Sequence, residues 1–185
     1  MLYALLFAIV PALGAGCIFE PREANAPGDD TASSWTVPDN PIKVFVNMTS
    51  GLESLSGTNY EKSIGTDFTF LPLPSDANQF GDVFVGWNKT TEVEVMNTII
   101  GDAKTLVVEF SDLTQILGSP SFAQYEGSYE LSIVNKTAPD TLVYKAKARF
   151  DLSEGSKGWE LTVWEDIESV SGFASWGFLR GTLGI

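Results

Sequence analysis

The residues of this 185-residue chain whose types could move a proton are three aspartates and a group of tyrosines. Asp67, Asp151 and Asp166 fall beside the ends of predicted strands, and Tyr60, Tyr125, Tyr129 and Tyr144 are phenols that could stand next to one of them as donors. A carboxylate withdrawn from water has its pKa raised and can serve as a general base. Asp67 and Asp151 equally suit the turn at a strand end, and the pattern alone does not fix which aspartate points inward. There is no histidine, which excludes every Ser-His and Cys-His nucleophile and the commonest metal ligand. A single cysteine excludes a thiolate zinc site, no acidic run has the spacing of a calcium loop, and glycine-rich phosphate loops are absent. No cofactor or metal is implied.

Two other constellations carry weaker chemistry. Lys145, Lys147 and Arg149 share one face of a predicted strand. They read as a face for anions or lipid headgroups, or as cross-strand partners of Glu126 and Glu130 on the neighbouring strand. The aromatic residues Trp35, Trp159, Trp164, Trp176, Phe173 and Phe178 lie near the two ends of the predicted domain. They suit the mouth of an apolar pocket or an ordinary core. Trp159 is in phase with Leu161 and Val163 and is predicted to face inward. Trp164 is out of phase with them, so it is predicted on the opposite side, exposed or in an interface.

The elements that must position these residues follow from periodicity and punctuation. Asn40-Pro41 is a helix start, and Ile42, Phe45, Met48 or Thr49, Leu52 and Leu55 recur at helical spacing until Gly57. Asn59 is the expected cap of a short second helix ending at Gly65. Asp67–Leu71 alternates as a strand, 75–86 reads as an irregular loop, and Asn88 caps a third helix with Val93, Met96 and Ile100 on one face. Beyond Gly101 every segment has strand character: 105–113, 121–134, 141–152 and a last strand from Trp159. Long alternating segments joined by short loops predict a curved antiparallel meander with one buried face, against which the helices pack. The fold class is α+β.

Length, charge and the N-terminus bound the setting. Forty-four per cent hydrophobic residues suffice for one sizeable core. With 11 Lys and Arg against 24 Asp and Glu, the formal charge is −13 and there is no basic footprint for nucleic acid. Leu2–Leu13 is an apolar run, too short for the roughly 20 residues that span a bilayer and suited to the core of a signal peptide. Leu13-Gly14-Ala15-Gly16-Cys17 then resembles a bacterial lipobox, with Gly14 where leucine is usual and no basic residue near the start. That resemblance implies a signal peptide over 1–16, a lipid on Cys17, a flexible tether over 17–40 and one folded domain over 41–185. Ile18 in place of the aspartate that marks inner-membrane retention implies the outer membrane. A plain signal peptide with an incidental cysteine, or a buried apolar strand, is the competing interpretation of the same stretch.

The order of elements, helix, short helix, short strand through Phe68-Thr69-Phe70, third helix and long antiparallel strands, resembles the nuclear transport factor 2-like superfamily. Trp35, Asn59-Tyr60, Trp87 with Glu92, the run Trp159–Asp166 and Ser175-Trp176-Gly177-Phe178-Leu179-Arg180 resemble its secreted bacterial lipoprotein branch. The resemblance implies a strongly bent sheet wrapped around the helices as a cone. It also implies two alternatives for function: a non-catalytic binding or assembly domain, or a cone-pocket isomerase, cyclase or dehydratase using an inward carboxylate on a small apolar substrate. Superfamily members often dimerise through the outer sheet face, where Trp164 is expected. The partners this implies are the membrane, a second copy of the chain, and a small apolar ligand.

Overall fold

The computed structural model describes residues 35–138 and 140–184. The expected signal peptide, Cys17 and nearly all of the tether lie outside the described residues. Helix α1 (Pro41–Glu53) starts where proline and an asparagine cap place it, the Asn40 side chain accepting from the Lys43 amide. It ends before Gly57. Leu55 takes a left-handed conformation, the Ser56 amide reaches back to the Gly51 carbonyl and the Leu55 amide to that of Leu52. That pair of bonds is a Schellman ending built on leucine rather than glycine. Ser56, not Asn59, then caps α2 (Gly57–Ser63), and Asn59 is buried.

Strand β1 (Ile64–Leu71) begins at the foot of α2. The stretch expected as irregular holds α3 (Pro74–Phe80) and a 3₁₀ turn at Gly81–Phe84. Helix α4 (Lys89–Asp102) is capped by Asn88, whose side chain accepts from the amides of Thr90 and Thr91. Four strands follow: β2 (Ala103–Ser119), β3 (Phe122–Asn135), β4 (Thr141–Gly155) and β5 (Gly158–Ser169), and the chain closes with α5 (Trp176–Thr182). The sheet order is β1-β5-β4-β3-β2, antiparallel except where β1 runs parallel to β5, and the sheet does not close on itself. The α+β class and the antiparallel meander therefore hold.

The alternation in β3 and β4 puts Tyr125, Tyr129, Leu131, Ile133, Ala146, Ala148, Phe150 and Leu152 on the inner face. There they meet Phe45, Met48 and Leu52 of α1 and Val95, Met96 and Ile99 of α4 in one hydrophobic core. The rings interlock edge to face: Phe45 stands 5.1 Å from both Phe110 and Phe150, and Phe150 stands 5.0 Å from Trp164.

Strand β5 corrects one expectation. Leu161 pairs with Leu152 but Val163 with Asp151, so Thr162 is an extra residue and the strand bulges. A one-residue slip exchanges the faces. Trp159 and Leu161 point inward as expected, yet after the bulge the inward positions are Trp164 and Asp166, both buried. Trp164 is core, not an exposed or interface residue, and Val163 is only half-buried.

Candidate functional site

The charged groups of the interior gather around the C-terminal helix. Glu92, on the buried face of α4, takes four donors from three other parts of the chain. Arg180 of α5 forms a fork, Nε to Oε2 at 2.8 Å and Nη2 to Oε1 at 2.6 Å. The Tyr60 hydroxyl of α2 donates to Oε1 at 2.5 Å and the Trp87 indole to Oε2 at 2.9 Å. Both members of the Arg180–Glu92 ion pair are fully buried. The guanidinium also lies over three rings, 4.2 Å from the centroid of Phe70 and 4.7 Å from those of Trp164 and Trp176. Burial alone would lower the Arg180 pKa, but the charge and hydrogen bonds of Glu92 outweigh it and hold the group above its ordinary value. Tyr60 is pushed well above its ordinary value by burial, and next by the negative charge of Glu92. Neither group titrates near neutral pH.

Asp166 forms the second half of the network. Its Oδ2 accepts from the Tyr129 hydroxyl at 3.0 Å and the Gly177 amide at 3.2 Å, and its Oδ1 from the Trp164 indole at 3.0 Å. Tyr129 in turn accepts from the Trp176 amide at 2.8 Å. Of the three aspartates singled out in the sequence, Asp166 is the one turned inward. Asp67 is exposed, and Asp151 is half-buried on the outer face, where Gln124 donates to it at 2.7 Å. Tyr129 is brought to Asp166, whereas Tyr144 is half-buried at a bridge to Ala174 and Tyr125 donates to Gln115 at 3.1 Å. Sequence reasoning missed Glu92 and Arg180 as a pair. Both lay within the stretches carrying the family resemblance, but nothing local says that an acid on α4 and a base 88 positions later meet.

Burial raises the Asp166 pKa from 3.8 to about 6, against the opposing pull of Arg180 and of its three donors. Tyr129 is raised well above its ordinary value by burial, then by the charge of Asp166. The sign of the resulting pH dependence is definite. The folded protein holds the Asp166 proton more tightly than the unfolded chain does. The contribution is full below about pH 4, is lost as pH climbs towards 6, and is absent above. Asp166→Asn does not titrate, so its stability relative to the natural chain should rise by about 2–3 kcal/mol between pH 4 and pH 7. Urea unfolding of both proteins at the two pH values measures that difference.

There is little room beside Asp166 for a substrate. A β-carbon on Gly177 would come within 2.9 Å of Asp166 Oδ2 and 3.1 Å of the Phe70 ring. The Trp164 and Trp176 rings, both fully buried, pack on each other at 4.8 Å. Of two surface cavities, of about 250 and 750 Å³, neither is lined by Asp166, although Tyr129, which donates to that carboxylate, lines part of the smaller one. On the outer face the basic residues are in ion pairs: Lys145 with Glu130, Lys147 with Glu168, and Arg149 between Glu126 and Glu165. Lys145 also sits over the Phe173 ring at 4.5 Å. Among the described residues no group of three acidic, histidine or cysteine side chains could hold a metal ion, and no helix is long and apolar enough to cross a membrane.

Comparison with solved structures identifies the architecture. A scytalone dehydratase-like protein from Novosphingobium aromaticivorans superposes with a TM-score of 0.58 at 8% identity, over 70% of this chain and 81% of that one. A nuclear transport factor 2-like superfamily protein from Salmonella enterica serovar Typhimurium matches with a TM-score of 0.54 at 9% identity, over 70% and 89% of the two chains. The fold is nuclear transport factor 2-like. A ring hydroxylase-like protein, also from N. aromaticivorans, shares it at a TM-score of 0.55 and 10% identity, over 69% and 85%. No family model and no curated protein matches the sequence. At these identities the nuclear transport factor 2-like frame is what is shared, and it accommodates both enzyme-like proteins and proteins of no stated function.

Proposed function

We propose that this chain is a lipid-anchored protein of the bacterial envelope, held through Cys17, whose nuclear transport factor 2-like domain binds or assembles rather than catalyses. The observation that carries the non-catalytic reading is the enclosure of Asp166, which is 2% exposed. Both carboxylate oxygens accept from protein donors, three in all, and Trp164 and Trp176 beside them are themselves fully buried. A general base must come within hydrogen-bond reach of the proton it removes, and a carboxylate this buried does not meet a substrate. The rival, a cone-pocket enzyme, draws on the raised pKa of Asp166 and its contact with Tyr129. It requires α5 to leave the interior, and α5 is held there by Glu92, Asp166 and Tyr129 together.

Anchoring is supported by the lipobox-like residues ending at Cys17 and by the acidic composition of the chain, which suits solubility beside an anionic surface. One acyl chain gives only marginal membrane binding and two or more give firm attachment. The full chain expressed in a Gram-negative host should incorporate labelled palmitate and enter the detergent phase, and Cys17→Ser should do neither. Equal detergent partitioning of the two proteins would refute anchoring through this residue.

A further inference from the structure

The larger surface groove lies between the N-terminal segment, α2 and the β4–β5 turn, and its residues are built to be held still. Trp35 forms part of its wall. The backbone beside it is fixed at Thr36, which donates to the buried Asn47 side chain at 3.2 Å and accepts from it at 2.7 Å. Two residues on, the Pro38 carbonyl accepts from the Trp159 amide at 2.8 Å. Gly158 makes that approach possible: its φ is +104°, and a β-carbon there would stand 2.5 Å from the Pro38 oxygen. Trp159, which lines the groove while its indole packs into the core, is thus pinned against the same segment.

The charge pattern singles this groove out. In a chain with more than twice as many acids as bases, a cation usually finds a carboxylate, and five of the described basic residues do. Five others have no carboxylate partner among the described residues, and three of them, Lys62, Lys89 and Lys157, line this one groove. Lys62 lies 5.2 Å from the Trp35 ring centroid, and Lys89 donates to the Ile64 carbonyl at 2.6 Å. Two carboxylates, Glu61 and Glu160, line the groove as well and pair with none of these lysines. Space is kept for Glu160 in particular. Gly65 and Gly155 have no left-handed backbone to explain them, yet a β-carbon on either would meet the Glu160 carboxylate at 3.1 or 3.0 Å.

A bare anion would gain the lysines but meet Glu61 and Glu160. An uncharged apolar ligand would strand all five charges, at a cost that grows as the groove dries. The ligand that suits the whole lining carries negative charge for the lysines, hydroxyl donors for the carboxylates, and a C–H face for the Trp35 indole. The volume, about 750 Å³, falls within the range of sites for drug-sized ligands. We infer that this groove is a binding site for an anionic saccharide, a short chain of sugar acids lying against Trp35 with its carboxylates at Lys62, Lys89 and Lys157. The inference deepens the binding reading above and does not depend on membrane anchoring.

The test titrates the full Cys17→Ser chain with a tetramer of galacturonic acid, and with neutral maltotetraose and citrate as comparisons. It is read by tryptophan fluorescence and calorimetry at about 0.15 M salt, where the repulsion of a chain of net charge −13 is screened beyond about 8 Å. The tetragalacturonate should bind at least about tenfold more tightly than either comparison, each factor of ten being the scale of one charge-assisted contact. Lys62→Ala with Lys157→Ala, both exposed positions, should weaken it by about tenfold or more. Lys104→Ala with Lys136→Ala, the two unpaired lysines outside the groove, should change it less than about twofold. Equal weakening by both pairs would overturn the site, as would citrate binding as tightly as the saccharide, or no saccharide binding at all. None of these results bears on palmitate labelling at Cys17 or on closure of the cone, so the wider reading stands or falls separately.

Discussion

Arg180→Ala is expected to cost about 3–5 kcal/mol of unfolding free energy, the scale for removing one partner of a buried ion pair. The loss comes from what remains. Glu92 would keep the Tyr60 and Trp87 donors but lose the bidentate guanidinium, leaving a fully buried carboxylate without a counter-charge. The rings of Phe70, Trp164 and Trp176 would lose the flat cation they surround. Replacing both partners has a different outcome. Arg180→Met with Glu92→Gln removes the charge while keeping a carbonyl acceptor for Trp87 and an NH2 that can donate to the Tyr60 hydroxyl, and should recover at least about half of the loss. Urea unfolding of the two single variants and the double variant gives the coupling directly. An Arg180→Ala protein within about 0.5 kcal/mol of the natural chain would mean that the pair is not buried in solution.

Trp164→Ala is the second large effect, again about 3–5 kcal/mol, the range for deleting a buried tryptophan from a core. The indole is fully buried, packs at 5.0 Å on Phe150, 4.8 Å on Trp176 and 5.3 Å on Tyr129, and gives Asp166 one of its three donors. Its removal opens a cavity and strips a buried carboxylate of a hydrogen bond together. The same substitution separates core from interface. A core residue lowers the urea midpoint at every protein concentration. An interface residue leaves the folded protomer intact and shifts only a concentration-dependent association. The structure predicts the first, so a surviving dimer role for the outer face would have to rest on its ion-paired strands and not on Trp164.

How much of this was legible in the sequence depended on whether the signal was local. Asn40 and Asn88 mark helix starts because a cap is a contact over two or three residues. The β3–β4 register was readable because alternation ran unbroken through both strands, and it sets Glu126 opposite Arg149 and Glu130 opposite Lys145. The same rule failed on β5, since periodicity carries no memory of an inserted residue and Thr162 inverts everything after it. Helix α4 misled in another way. Apolar spacing alone put Val93, Met96 and Ile100 on one face, whereas the buried stripe is Glu92, Val95, Met96 and Ile99. A charged residue can sit at the centre of a buried face only when a partner from elsewhere compensates it, and Arg180 is too distant in sequence to be seen.

The candidate site was legible in its parts and not in its assembly. Asp166 and Tyr129 were among several carboxylates and phenols of equal standing, and only the bulge in β5 and the return of α5 select them. The surface groove left less trace still. Trp35, Lys62 and Lys157 come from three separate elements, and no spacing within the chain relates them.

Amide hydrogen exchange at Trp176 and Gly177 tests the central claim, that the cone is closed by its own C-terminal helix. Residues this near the end of a chain ordinarily fray and exchange fast. Here the two amides donate to the Tyr129 hydroxyl and the Asp166 carboxylate inside the core. Their protection should equal that of Leu131 and Phe150 in the central strands, with exchange only through global unfolding. Exchange of Trp176 and Gly177 faster than those strands by a factor of a hundred or more would correspond to opening about 3 kcal/mol below global unfolding. That result would show α5 lifting while the sheet stays folded, would expose Asp166 and Tyr129, and would contradict the filled cone in favour of a pocket enzyme.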